Sequence, residues 1–175
     1  MIHVLIYKDD FEEWLETFAM RKCKKIQVVA NLIDPENQNF NKYKSVIAFW
    51  LQKENSNSIS LYIENFETFT GPLSEPNRNK GYGTFLLNNL QRRLSELGFC
   101  SKITKVFGVL DTKDITSWQY SLPMYLKFAQ NIMVEDIVCL INGNPVENEN
   151  MVSEAYNLNK QKIAVRFEFR RANIL

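Results

Sequence analysis

The run Arg78-Asn79-Lys80-Gly81-Tyr82-Gly83-Thr84 holds residue types that can grip an anion. Two glycines, two apart, stand where a polar, proline-containing segment gives way to Phe85-Leu86-Leu87-Asn88-Asn89-Leu90-Gln91-Arg92-Arg93-Leu94. Leucines at 86, 90, 94 and 97 recur at helical spacing, and Gly98 stands where a left-handed cap would end that helix. The first turn of a helix leaves backbone N–H groups without partners inside the helix. Glycine has no Cβ, so an anion can approach such a turn closely. The string therefore predicts a phosphate site, with Arg78 and Lys80 as flanking cations and Thr84 as an added hydroxyl donor. Two other phosphate loops do not fit. There is no Gly-x-x-x-x-Gly-Lys-Ser/Thr, and no third glycine at the dinucleotide-binding spacing.

Arg78-x-x-Gly81-x-Gly83 resembles the Gln/Arg-x-x-Gly-x-Gly/Ala motif of the GNAT superfamily of acyl-CoA-dependent N-acyltransferases. In that family the motif precedes a leucine-rich helix and cradles the pyrophosphate of coenzyme A. The resemblance implies acetyl-CoA as co-substrate, bound by Arg78, Asn79, Lys80, Gly81, Tyr82, Gly83 and Thr84, with the pantetheine arm pairing near Leu73. Pro72, just before Leu73, lacks an N–H and departs from the family pattern there. Leu122-Pro123-Met124-Tyr125-Leu126-Lys127-Phe128 is similar to the family's Ala-x-x-x-Tyr-x-x-x-Gly-Phe segment and implies Tyr125 as proton donor to the departing thiolate. Ser121, Trp118 and Gln130-Asn131 depart from that segment.

The implied reaction is direct attack by a primary amine, small molecule or protein, in a ternary complex. A typical amine has a pKa of about 10.4 and must first lose a proton. Glu64 and Glu67, on or just after the strand before the loop, are the candidate bases, and Asp111 is another. The rival is a non-catalytic module that binds acyl-CoA or a protein on the same fold. A third reading, a nucleotide-phosphate enzyme, predicts that ATP binds better than coenzyme A.

These residues must be positioned by elements that the periodicity places along the chain. Residues 2–7 read as a strand, and Phe11, Trp14, Leu15 and Phe18 as the stripe of an amphipathic helix over 9–24. Strands follow over 25–33, 45–51 and 59–64; the second of these is so apolar that it predicts cover on both faces. Short polar turns between them imply an antiparallel meander. After the leucine helix come a strand ending at Asp111 and a helix that Pro123 delays until Leu122, with Ser121 as its cap. A strand over 134–141 meets the Asn142-Gly143 turn signal. Residues 148–160 read as loop or as a short helix through Met151, Ala155 and Leu158; a last strand spans 163–169. The order matches the GNAT core, apart from its second helix after the first strand. The expected fold class is α/β (α+β), with a mixed, mostly antiparallel sheet of about six or seven strands flanked by helices.

Composition bounds the rest. The 175 residues are expected to form one domain, 1–175, and 45% apolar content supplies a core. Lys plus Arg number 21 and Asp plus Glu 20, a balance that points away from nucleic acid and anionic membrane. Three separated cysteines and one histidine, His3, give no zinc spacing, no disulfide framework and little for Cys/His catalysis, so no metal is expected. No run approaches the ~20 apolar residues of a membrane span, and no leader pattern opens the chain, so a cytoplasmic protein is expected, with a homodimer left open.

Overall fold

The computed structural model describes residues 3–6, 25–33, 43–68, 81–111, 115–133, 136–162 and 164–172. Among these, eight strands form one sheet: β1 (His3–Ile6), β2 (Lys25–Ile33), β3 (Tyr43–Lys53), β4 (Ile59–Thr68), β5 (Ile103–Asp111), β6 (Ile137–Ile141), β7 (Asn144–Pro145) and β8 (Ala164–Arg171). Their order across the sheet is β1-β2-β3-β4-β5-β8-β6-β7. Every neighbouring pair is antiparallel except β4 and β5. Parallel neighbours need a crossover, and helix α1 (Tyr82–Glu96) lies between them in the chain. Helix α2 (Ile115–Met133) joins β5 to β6, and α3 (Glu149–Asn159) joins β7 to β8.

One face of the sheet carries the core. Ile47, Phe49 and Leu51 of β3, Leu61 and Ile63 of β4, Val106 and Leu110 of β5, and Val165, Phe167 and Phe169 of β8 are buried. Above them lie Leu86, Leu87, Leu90 and Leu94 of α1 and Trp118, Leu122, Tyr125, Phe128 and Ile132 of α2. The helices pack side by side, and Trp118 meets Tyr156 of α3 edge-on at 5.4 Å. The expectation that β3 is covered on both faces is corrected. Val46, Ala48 and Trp50 are only half-buried, so burial alternates along the strand even though its sequence does not.

Three other expectations change. The second helix begins at Ile115 and runs through Pro123. Proline deletes the donor for the Gln119 carbonyl, but Trp118, Leu122, Tyr125, Ala129 and Ile132 on either side bury one continuous stripe. Residues 149–159 are helical with Asn148 as a true cap, its Oδ1 accepting from the Met151 amide at 3.1 Å. Leu158 is not on its inner face: it is 83% exposed, and Val152, Ala155 and Tyr156 face the core instead. The strand expected over 134–141 begins only at Ile137. The expected helix over 9–24 lies outside the described residues.

Candidate active site

Helix α1 starts from Gly81, whose φ of 75° is left-handed, with open space where a Cβ would be. The Phe85 amide donates to the Gly81 carbonyl at 2.8 Å, and the amides of Tyr82, Gly83 and Thr84, the open donors of the first turn, have no partner among the described residues. No side chain among the described residues caps them, and no acidic residue stands in that turn. A peptide helix carries about half a positive charge at this end. The turn thus presents donors and positive potential to an anion.

Gly83 is glycine for a second reason. A Cβ there would lie 2.9 Å from Cζ of Phe66 and 3.5 Å from Sδ of Met124. The absence of a side chain lets the helix start rest on the Phe66 ring. From the turn a cavity of about 250 Å3 runs between α1 and α2, lined by Thr84, Asn88, Met124, Lys127 and Asn131 among others.

Beside the turn the sheet opens. The β4–β5 ladder runs from Ile59 opposite Ile103 to Ile63 opposite Gly108 and stops, while β4 continues to Thr68 and β5 to Asp111. The cause is local. Phe49 pairs with Ile63 and Ala48 with Asn65, so Glu64 is an extra residue, a bulge, in β4. Bulges bend a strand and increase its twist, which turns β4 away from β5. At the last rung a Cβ on Gly108 would lie 2.7 Å from the Phe167 ring and 3.0 Å from the Ile63 carbonyl oxygen. Only glycine fits there.

The candidate acid and base flank this opening from opposite faces. On the helix side, Tyr125 stacks on Phe167 with ring centroids 5.1 Å apart and planes 8° apart, and meets Phe66 edge-on at 5.8 Å. It is 7% exposed, and burial pushes its phenol well above the ordinary tyrosine range. Its ring is packed as a core residue, and no hydrogen bond to its hydroxyl occurs among the described residues. On the other side, Glu64 accepts from Trp50 Nε1 at 3.1 Å and from Gln27 Nε2. Trp50 alternates with the buried Phe49 and Leu51, so this carboxylate lies on the face away from the helices.

Of the remaining expected residues, the structure gives the strand register of two. Glu67 sits opposite Val46 in the β3–β4 register, and Asp111 opposite Ala164 at the end of β5. Leu73, Arg78, Asn79 and Lys80 lie outside the described residues. Cys100 and Cys139 are buried free thiols pushed up by desolvation, Cys139 to about 11, so neither is a ready nucleophile. Among the described residues no three His, Cys, Asp or Glu side chains cluster as metal ligands.

Phe66, Gly108 and Phe167 were missed as site-forming residues. Two signals were present in the chain: apolar spacing slips from two to three between Ile63 and Phe66, across the polar pair Glu64-Asn65, and a glycine interrupts a strand at 108.

The fold so described is that of the GNAT acyl-CoA N-acyltransferases. No family model and no curated protein sequence matches the chain; the likeness is to solved structures. NAA60 of Arabidopsis thaliana in complex with acetyl-CoA is similar at 11% identity and a TM-score of 0.50, with 99% of each chain covered. The same enzyme with a bisubstrate analogue gives 11% and 0.50, covering 97% of this chain and 96% of that one. A chain of the NatC complex bound to Gag peptide and CoA gives 8% and 0.50, with 97% of each covered. At such identities the likeness speaks for the fold.

Proposed function

We propose that this chain is an N-acetyltransferase that moves an acetyl group from acetyl-CoA to a primary amine by direct attack in a ternary complex. One observation carries the reading: a helix N-terminus whose amides have no partner or cap among the described residues, set beside the gap where β4 and β5 part. A diphosphate fits the first and an extended thioester arm the second. That NAA60 and NatC were crystallised with acetyl-CoA or CoA supports the donor, and the Gag peptide on NatC supports a peptide amine among the acceptors.

In this reading Tyr82, Gly83 and Thr84 donate backbone N–H groups to the diphosphate. Arg78, Asn79 and Lys80 lead into the turn, and Leu73 meets the pantetheine arm. The amine arrives on the Glu64 face as an ammonium ion and gives a proton to that carboxylate through water, with Glu67 as a second acceptor. Its lone pair attacks the thioester carbonyl, the C–S bond breaks, the sulfur takes the phenol proton of Tyr125, and the proton that the nitrogen sheds on becoming an amide returns through water to the Tyr125 phenolate. Acid and base on opposite faces of the opening suit that sequence, because nucleophile and leaving group occupy opposite sides of the reacting carbon.

The test is free-thiol release from acetyl-CoA with a panel of small amines and peptides. Amine-dependent release supports the proposal, and Tyr125→Phe should lower kcat while coenzyme A still binds. The deep burial of Tyr125 favours a second reading, an acyl-CoA-binding module. It predicts binding of acetyl-CoA with no release for any amine.

A further inference from the structure

We propose that Phe66 is a positioning residue whose ring transmits the placement of the α1 N-terminal turn to the Tyr125 phenol, so that the donor site and the acid are set together. Phe66 lies on β4 beyond its last rung with β5, in the wall of the opening. Its ring touches both halves of the proposed site. On one side it is so close to the second residue of α1 that a Cβ on Gly83 would come within 2.9 Å of Cζ and 3.3 Å of Cε1. On the other it meets the Tyr125 ring at 5.8 Å with an interplanar angle of 65°. Phe167 stacks on the face of Tyr125 and fixes its plane, while Phe66, set steeply to that plane, limits how far the phenol can shift toward β4.

Phe66 is only half-buried, although its immediate partners are the helix start and the phenol. A residue placed for core volume alone would sit deeper, as Phe167 and Phe169 do. The consequence is mechanical. An anion that draws the amides of Tyr82 to Thr84 toward itself moves Gly83, and Gly83 cannot move toward β4 without moving Phe66.

The kinetic part of this inference rests on the proposed acyl transfer, and a spectroscopic part does not. Phe66→Leu, and separately Phe66→Ala, should leave the dissociation constant for coenzyme A within about twofold while kcat falls at least ~10-fold, since a misplacement of ~1 Å can cost ~100-fold. Phe66→Tyr, which keeps the ring, should recover most of kcat. In a near-ultraviolet pH titration of the unliganded protein, Phe66→Leu should bring one additional tyrosine into ionisation near pH ~10. That tyrosine should vanish in the double variant with Tyr125→Phe. Because the titration needs neither donor nor acceptor, it reads the Phe66–Tyr125 contact even if no amine is ever acetylated. An unchanged tyrosine titration in Phe66→Leu overturns the proposal, as does a fall in kcat matched by an equal loss of coenzyme A affinity. If Phe66→Ala does not fold, Phe66→Leu and Phe66→Tyr carry the same test.

Discussion

Tyr125 and Glu64 have opposite surroundings, and each surrounding predicts a measurement. The Tyr125 phenol is raised by burial, so it keeps its proton across the neutral range, as a donor to a thiolate must. The same burial makes it a liability in alkali. An unfolded tyrosine ionises near pH ~10 and the folded one does not, so the folded state holds the extra proton and stability falls with pH above that point. Cys139 adds a similar loss between the ordinary thiol range and about 11. Tyr125→Phe should therefore flatten the decline of denaturation midpoint with pH above ~10, measured against wild type; an unchanged slope would show that the phenol is not desolvated. Glu64 is exposed and held by two donors, the Trp50 indole and the Gln27 amide. Glu64→Gln keeps the shape and removes the base. It should lower kcat/KM at neutral pH by ~100-fold, the low end of general-base effects, with the loss shrinking as pH rises and more acceptor arrives neutral. A loss independent of pH would remove Glu64 from the role.

At the scale of elements, the start of α1 offers a substitution whose two effects have opposite signs. Thr84 is exposed in the first turn, where no acid now stands. Thr84→Glu adds a charge that favours the helix by about 0.3–1 kcal/mol but repels a bound diphosphate. The unliganded protein should melt at the same temperature or slightly higher, while stabilisation by coenzyme A shrinks; if both drop, the change has damaged packing instead. This variant is cleaner than one at Gly83, where any side chain strikes Phe66. In α2 the exposed Pro123 leaves the Gln119 carbonyl without its donor. Pro123→Ala should restore that bond and stabilise by ~1–3 kcal/mol in chemical denaturation, given the ~3 kcal/mol that an interior proline costs. The same two helices show what could be read from the chain. The α1 stripe was legible because Leu86, Leu90 and Leu94 repeat without interruption. The first turns of α2 were not, because a local breaker rule at Pro123 lost to the burial of Trp118 beyond it. The bulge at Glu64 was illegible for a related reason: a strand pattern shows that an alternation slips, but the partner strand decides which residue is extra.

For the whole molecule, the meander β2-β3-β4 was readable from the short polar turns between its strands, and β8 from its own alternation. The parting of β4 from β5 was not, since it depends on Gly108, Phe167 and Ile63 meeting from three strands. That parting bears on stability as well as on chemistry. Backbone groups of β4 past Ile63 have no β5 partner to meet, and an extended thioester arm laid in the gap would supply one. Coenzyme A should then act on the fold as a missing strand together with an anion cap. At 100 times its dissociation constant a ligand that binds only the folded state stabilises by ~2.7 kcal/mol, a rise of roughly 5–10 °C in melting temperature at this chain size. Acetyl-CoA and coenzyme A should both give that rise. ATP, which offers phosphates but no pantetheine arm, should give clearly less at equal concentration. Coenzyme A cut back to its 3′,5′-ADP portion, which keeps one phosphate of the diphosphate and none of the arm, should also give clearly less. If ATP matches acetyl-CoA, the turn binds phosphate without the gap taking part, and acyl transfer loses its structural basis. If none of the four shifts the melt, the amides of Tyr82 to Thr84 are not a ligand site at all.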